Sequence, residues 1–86
     1  MINIIIKDYN EDEKVMYIKR GEDNIWGIVS IMQFEDELEF YGIDIKRQKV
    51  NNEIGYVFNK NIDESLVYEE TKRFLDEHNI EKLKTF

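Results

Sequence analysis

A chain of 86 residues with no cysteine and a single histidine, His78, excludes a disulfide framework, a thiolate zinc site and a histidine metal cluster. Nineteen Asp and Glu against twelve Lys and Arg give a net charge of −7. That field disfavours nonspecific binding to nucleic acid or anionic membranes and favours encounter with a basic partner, while also serving plain solubility.

The length predicts one α+β domain spanning residues 1–86, which would bury roughly 60 to 65% of the surface its unfolded chain exposes. No apolar run approaches the ~18 residues of a membrane span, and Ile4-Ile5-Ile6 is far shorter than a signal-peptide core. A cytoplasmic protein that keeps off the membrane is the expectation. Proline and alanine are missing while Ile, Asn, Lys, Glu and Tyr abound, a bias that AT-rich codons produce and that points to a low-GC bacterial or phage genome.

In chain order, Ile2 to Lys7 alternates as a mostly buried first strand, and Asp8 to Glu13 interrupts it as an acidic hairpin loop. Val15 to Lys19 reads as the second strand, closed by the turn Gly21-Glu22-Asp23-Asn24. Ile25 to Met32 is apolar on both parities, so it is predicted to be an interior third strand around which the rest is organised, with Gly27 at a bulge or close approach. Glu35-Asp36-Glu37 reads as another acidic turn.

Leu38 to Ile45 then gives a fourth strand with a bulge at Tyr41-Gly42, continuing through Val50. Asn51-Asn52 fits a two-residue hairpin turn, since Asn tolerates left-handed backbone. The turn predicts a register with Ile45 opposite Phe58 and Arg47 opposite Tyr56. A helix is predicted from about Ile62 to His78, capped by Asn61 or Asp63, with Val67, Thr71, Phe74, Leu75 and His78 on its apolar stripe. Asn79 and Ile80 would close it, and Leu83 and Phe86 would pack on the sheet, add a strand or fray. The sum is an antiparallel five-stranded meander, strongly bent or partly closed towards a barrel as its variant, with one C-terminal helix across one face.

No motif in this sequence carries chemistry. The acidic groups Glu11-Asp12-Glu13, Glu35-Asp36-Glu37 and Glu69-Glu70 fall in predicted turns or on an outer helix face, His78 has no serine or threonine beside it, and the four glycines are isolated. No catalytic residue, cofactor or metal ligand is therefore expected. Lys46, Arg47 and Lys49 with Tyr56 opposite are the only local hint of nucleic-acid contact, and they equally suit an edge hairpin protected by cations.

Surface recognition remains. The acids Glu35, Asp36, Glu37 and Glu39 beside Tyr41, together with Glu11, Asp12 and Glu13, form the expected partner-binding set, because acids flanked by aromatics suit a basic groove. The expected function is a non-enzymatic binder of a basic protein surface, of the kind that binds nucleic acid, acting as an inhibitor, antitoxin-like or anti-defence factor. The alternative is a homo-oligomeric structural or accessory subunit, paired through a strand edge or through a patch around Trp26 and Met32. The chain would be a monomer or a homodimer.

Overall fold

The computed structural model describes residues 2–24 and 31–77. Its elements are β1 (Ile2–Asp8), β2 (Glu13–Arg20), the two-residue β3 (Asp23–Asn24), α1 (Ile31–Phe40), β4 (Ile45–Val50), β5 (Glu53–Asn59) and α2 (Glu64–Glu77). Four strands form an antiparallel sheet in the order β1-β2-β5-β4, and β3 only pairs with the last two residues of β2. The architecture is α+β with two helices. The expected five-stranded meander with a single helix is thus corrected on strand number, strand order and helix number.

The change of order comes from one long-range pairing. β5 pairs with β2 from Glu13↔Asn59 to Met16↔Tyr56, so the strand predicted to lie at the end of a meander sits in the middle of the sheet. Since β2 and β4 both run antiparallel to β5, they run parallel to each other. Parallel strands cannot be joined by a hairpin and need a long crossover. The chain from Gly21 to Asp44 is that crossover, and α1 is its helix.

Of the strand predicted at Ile25–Met32, residues 25–30, with Trp26 and Gly27, lie outside the described residues. Ile31 and Met32, however, open α1, and Leu38 to Phe40 close it. Phe34 and Leu38 are four apart and both fully buried, which is the helical spacing. The Tyr41-Gly42 pair is a helix terminus and not a bulge. Gly42 has φ +80°, its N–H donates to the Glu39 carbonyl at 2.9 Å, and Ile43 N–H donates to the Leu38 carbonyl at 2.9 Å. This is the Schellman pattern, sealed by buried Ile43 and Leu38.

The interior strands are β2 and β5. Val15-Met16-Tyr17-Ile18 and Gly55-Tyr56-Val57-Phe58 are buried on both parities. Met16, Ile18, Tyr56 and Phe58 meet Phe34 and Leu38 of α1 and Val67, Phe74 and Leu75 of α2. Thr71 is buried with them, its hydroxyl 3.5 Å from the Met16 sulfur. The opposite face holds Val15, Tyr17 and Val57 with Ile5 and Val50. There Tyr17 lies over Gly55, where an added Cβ would fall 2.6 Å from Val15 Cγ2 and 3.2 Å from Tyr17 Cε1.

The β4–β5 hairpin follows its predicted register, with Ile45↔Phe58 and Arg47↔Tyr56 across a turn whose Asn51 and Asn52 have φ of 52° and 66°. The last helix begins two residues later than expected. Asp63 caps it, its carboxylate accepting from Ser65 N–H at 2.9 Å, while Asn61 is held by the Asn59 side chain instead. His78 and the proposed close at Asn79-Ile80 lie outside the described residues.

Candidate partner-docking surface

The predicted acidic turn at residues 35–37 is the middle of α1, and this changes which side chains share a surface. At about 100° per residue, Phe34 and Leu38 point into the core, and Asp36 and Phe40, four apart, share the outward side. Burial agrees: Phe34 and Leu38 are fully buried, Glu35 and Glu37 are half-buried flanks, and Asp36, Glu39 and Phe40 are exposed. Phe40 is 82% exposed, more than any other large exposed apolar side chain among the described residues. Four carboxylates, Glu35, Asp36, Glu37 and Glu39, precede it within five residues, and among the described residues none of the four takes part in an ion pair.

Tyr41, 41% exposed, also makes contacts within the fold. Its ring packs edge-on against Phe40 at 5.3 Å and lies under the Arg73 guanidinium, 4.7 Å from the ring centroid. Arg73 is also paired with Glu70 on its own helix. Tyr41 therefore ties the end of α1 to α2 and props Phe40 outward. Phe40 is the residue that strand parity hid, since alternation pairs it with Leu38 on an inward face. The i, i+4 spacing of Phe34 and Leu38 was the signal that would have found it.

The other acidic group sits at the β1–β2 turn, where the Glu13 carboxylate is bonded within the loop. Asn10 Oδ1 accepts from the N–H groups of Asp12 at 2.9 Å and Glu13 at 2.8 Å, and Asn10 Nδ2 donates to the Glu13 carboxylate at 3.0 Å. Lys60 N–H donates to the Asp12 carbonyl at 2.8 Å. Cations collect at the same end of the sheet, where Lys14 pairs with Glu64 and both Lys14 and Lys60 approach Asp8. Glu11 and Asp12 are exposed there and Glu13 is half-buried. The two acidic groups do not merge: the loop is tied to the first turn of α2, whereas Tyr41 meets α2 at Arg73, roughly 13 Å further along at 1.5 Å per residue.

The basic hairpin is likewise divided. Lys46 points to one face of the sheet and Arg47 and Lys49 to the other, all three exposed. Tyr56 is fully buried, its ring edge-on to Phe34 at 5.1 Å, so it offers no free ring for a base to stack on. Among the described residues no three acidic side chains converge as a metal site would require, and no helix is long and apolar enough to cross a membrane.

No family matches this sequence, and neither the curated proteins nor the solved structures compared with it gave a match.

Proposed function

We propose that this chain is a small cytoplasmic, non-enzymatic protein-binding domain whose α1 docks on a basic surface of a partner protein and blocks it, as an inhibitor, antitoxin-like or anti-defence factor does. The supporting observation is the pairing of an 82% exposed Phe40 with the uncompensated carboxylates of Glu35, Asp36, Glu37 and Glu39. An aromatic this exposed contributes little to folding, but buried in a partner's pocket it is the kind of anchor that dominates an interface. Carboxylates around the anchor steer a basic surface towards it and fix its orientation. Carried on a rigid helix, the side chains lose little further freedom on binding.

The test is affinity capture from host lysate with the wild-type chain as bait, followed by titration of the captured protein against variants. Phe40→Ala is expected to weaken binding by about 2 kcal/mol or more, the range of interface anchors, while leaving stability within about 0.5 kcal/mol, as is usual for surface substitutions. Asp36→Lys should slow association, and affinity should fall with added salt. A partner that binds Phe40→Ala and Asp36→Lys as tightly as wild type would refute this surface.

A further inference from the structure

The two faces of the sheet are closed in different ways. Both described helices pack on one of them, over Met16, Ile18, Tyr56 and Phe58. On the other, Val15, Tyr17 and Val57 are 2%, 6% and 3% exposed, yet among the described residues neither a helix nor a further strand lies over them. One side chain does cross that face. Tyr9 directly follows β1, and its hydroxyl accepts from Gln48 Nε2 of β4 at 2.9 Å. Because β1 and β4 stand at opposite ends of the order β1-β2-β5-β4, this bond bridges the two strands between them.

Alternation settles where the bridge runs. Gln48 shares its side of β4 with Val50, which packs against the Val15, Tyr17 and Val57 cluster. Tyr9 N–H donates to the Glu13 carbonyl at 3.0 Å, so Tyr9 starts one rung beyond Asp8↔Lys14, whereas Gln48 is level with Gly55. The Val15↔Val57 rung lies halfway between those two levels. Gly55 leaves room at the far end, since the Tyr17 ring already leans over it. The backbone that carries Tyr9 is fixed, with Asn10 Oδ1 accepting from the N–H groups of Asp12 and Glu13 and Lys60 N–H donating to the Asp12 carbonyl. Only the Tyr9 side chain has to turn for the bridge to open.

We propose that Tyr9 is a strap: hooked on Gln48 it lies across the Val15–Val57 rung and closes the second face, and unhooked it uncovers an apolar strip of Ile5, Val15, Tyr17, Val57 and Val50 while the sheet stays intact. The hook is one neutral hydrogen bond at the surface, worth about a fivefold bias towards the closed state. The ring adds to that bias, since Tyr9 keeps 41% of its surface in water and gives up the rest to the fold. Opening of this kind is local, and it lies far below the cost of unfolding the chain. It is independent of docking through α1, because α1 packs on the opposite face of the sheet.

The chain has no cysteine, so a single introduced thiol can report the opening. Val57→Cys places one beneath the strap, and Val67→Cys places a control in the core on the helix side. Labelling by a soluble disulfide reagent at about pH 8, where thiols begin to ionise, reads how often each becomes accessible. Tyr9→Phe and Gln48→Ala should each speed labelling of Val57→Cys about fivefold, and together no further, because they remove the same bond. Tyr9→Ala should speed it roughly tenfold or more, with the rate at Val67→Cys little changed. A Val57→Cys rate that Tyr9→Ala leaves unchanged would overturn the strap. So would equal acceleration at Val67→Cys, which marks general loosening, or additive effects of Tyr9→Phe and Gln48→Ala, which would mean that the two side chains do not hold each other in solution.

Discussion

Tyr56 is a large polar side chain inside an apolar core. Its ring is fully buried against Phe34, and among the described residues its hydroxyl has no hydrogen-bond partner. Burial pushes its pKa up to about 12, with the Arg47 guanidinium opposing the shift and the Glu35 carboxylate adding to it. The folded state thus holds the phenol neutral while the unfolded chain ionises near pH 10. The stability this group contributes is complete below about pH 10 and is lost as pH rises through about 12, because above pH 10 the folded state binds more protons than the unfolded one. Tyr17, raised by burial and by Glu53, adds to the same decline. Tyr56→Phe removes the orphaned hydroxyl, so it should be neutral or stabilising by up to about 1 kcal/mol at neutral pH. It should also flatten the alkaline loss, leaving the part due to Tyr17. Urea unfolding at a series of pH values measures both effects.

Among the elements, α1 shows where reading the sequence succeeds and where it stops. Leu38-Glu39-Phe40 alternates like a strand, and three consecutive acids resemble a turn, so two short strands can be drawn where one ten-residue helix stands. The spacing of Phe34 and Leu38 and the glycine at position 42 were legible helix signals, but a single buried pair is too little to fix a period. The Asn51-Asn52 hairpin was legible down to its register, because turn geometry is local and alone sets which residues oppose. The acids of the docking surface were legible as charge. The position of Phe40 among them was not, since it depends on helical phase. Gly42→Ala tests the helix end: forcing a side chain into φ +80° should cost about 1 kcal/mol, and the fraying should appear as faster amide exchange at Gly42 and Ile43.

For the molecule as a whole, the charges are unevenly spent. Lys14, Lys19 and Lys60 are engaged with Glu64, Glu53 and Asp8 on and around the sheet, and Arg73 with Glu70, whereas α1 contains four acids and no base. At a net charge of −7 the folded chain repels itself, so moderate salt should raise its melting temperature while lowering its affinity for a basic partner. Thermal scans and binding titrations across one salt series should move in opposite directions. Parallel movement would assign the partner's affinity to something other than charge.

The placement of β5 between β2 and β4 also governs how the chain finds its shape. The β1–β2 and β4–β5 ribbons each close over a short turn, an event of microseconds, but the rungs joining β2 to β5 connect residues about forty positions apart. Closing that span sacrifices chain entropy before its contacts repay the loss. The slow step of self-organisation is therefore the meeting of two ready-made ribbons along Val15–Val57 and Met16–Tyr56, with the helix between them spooled in as they join.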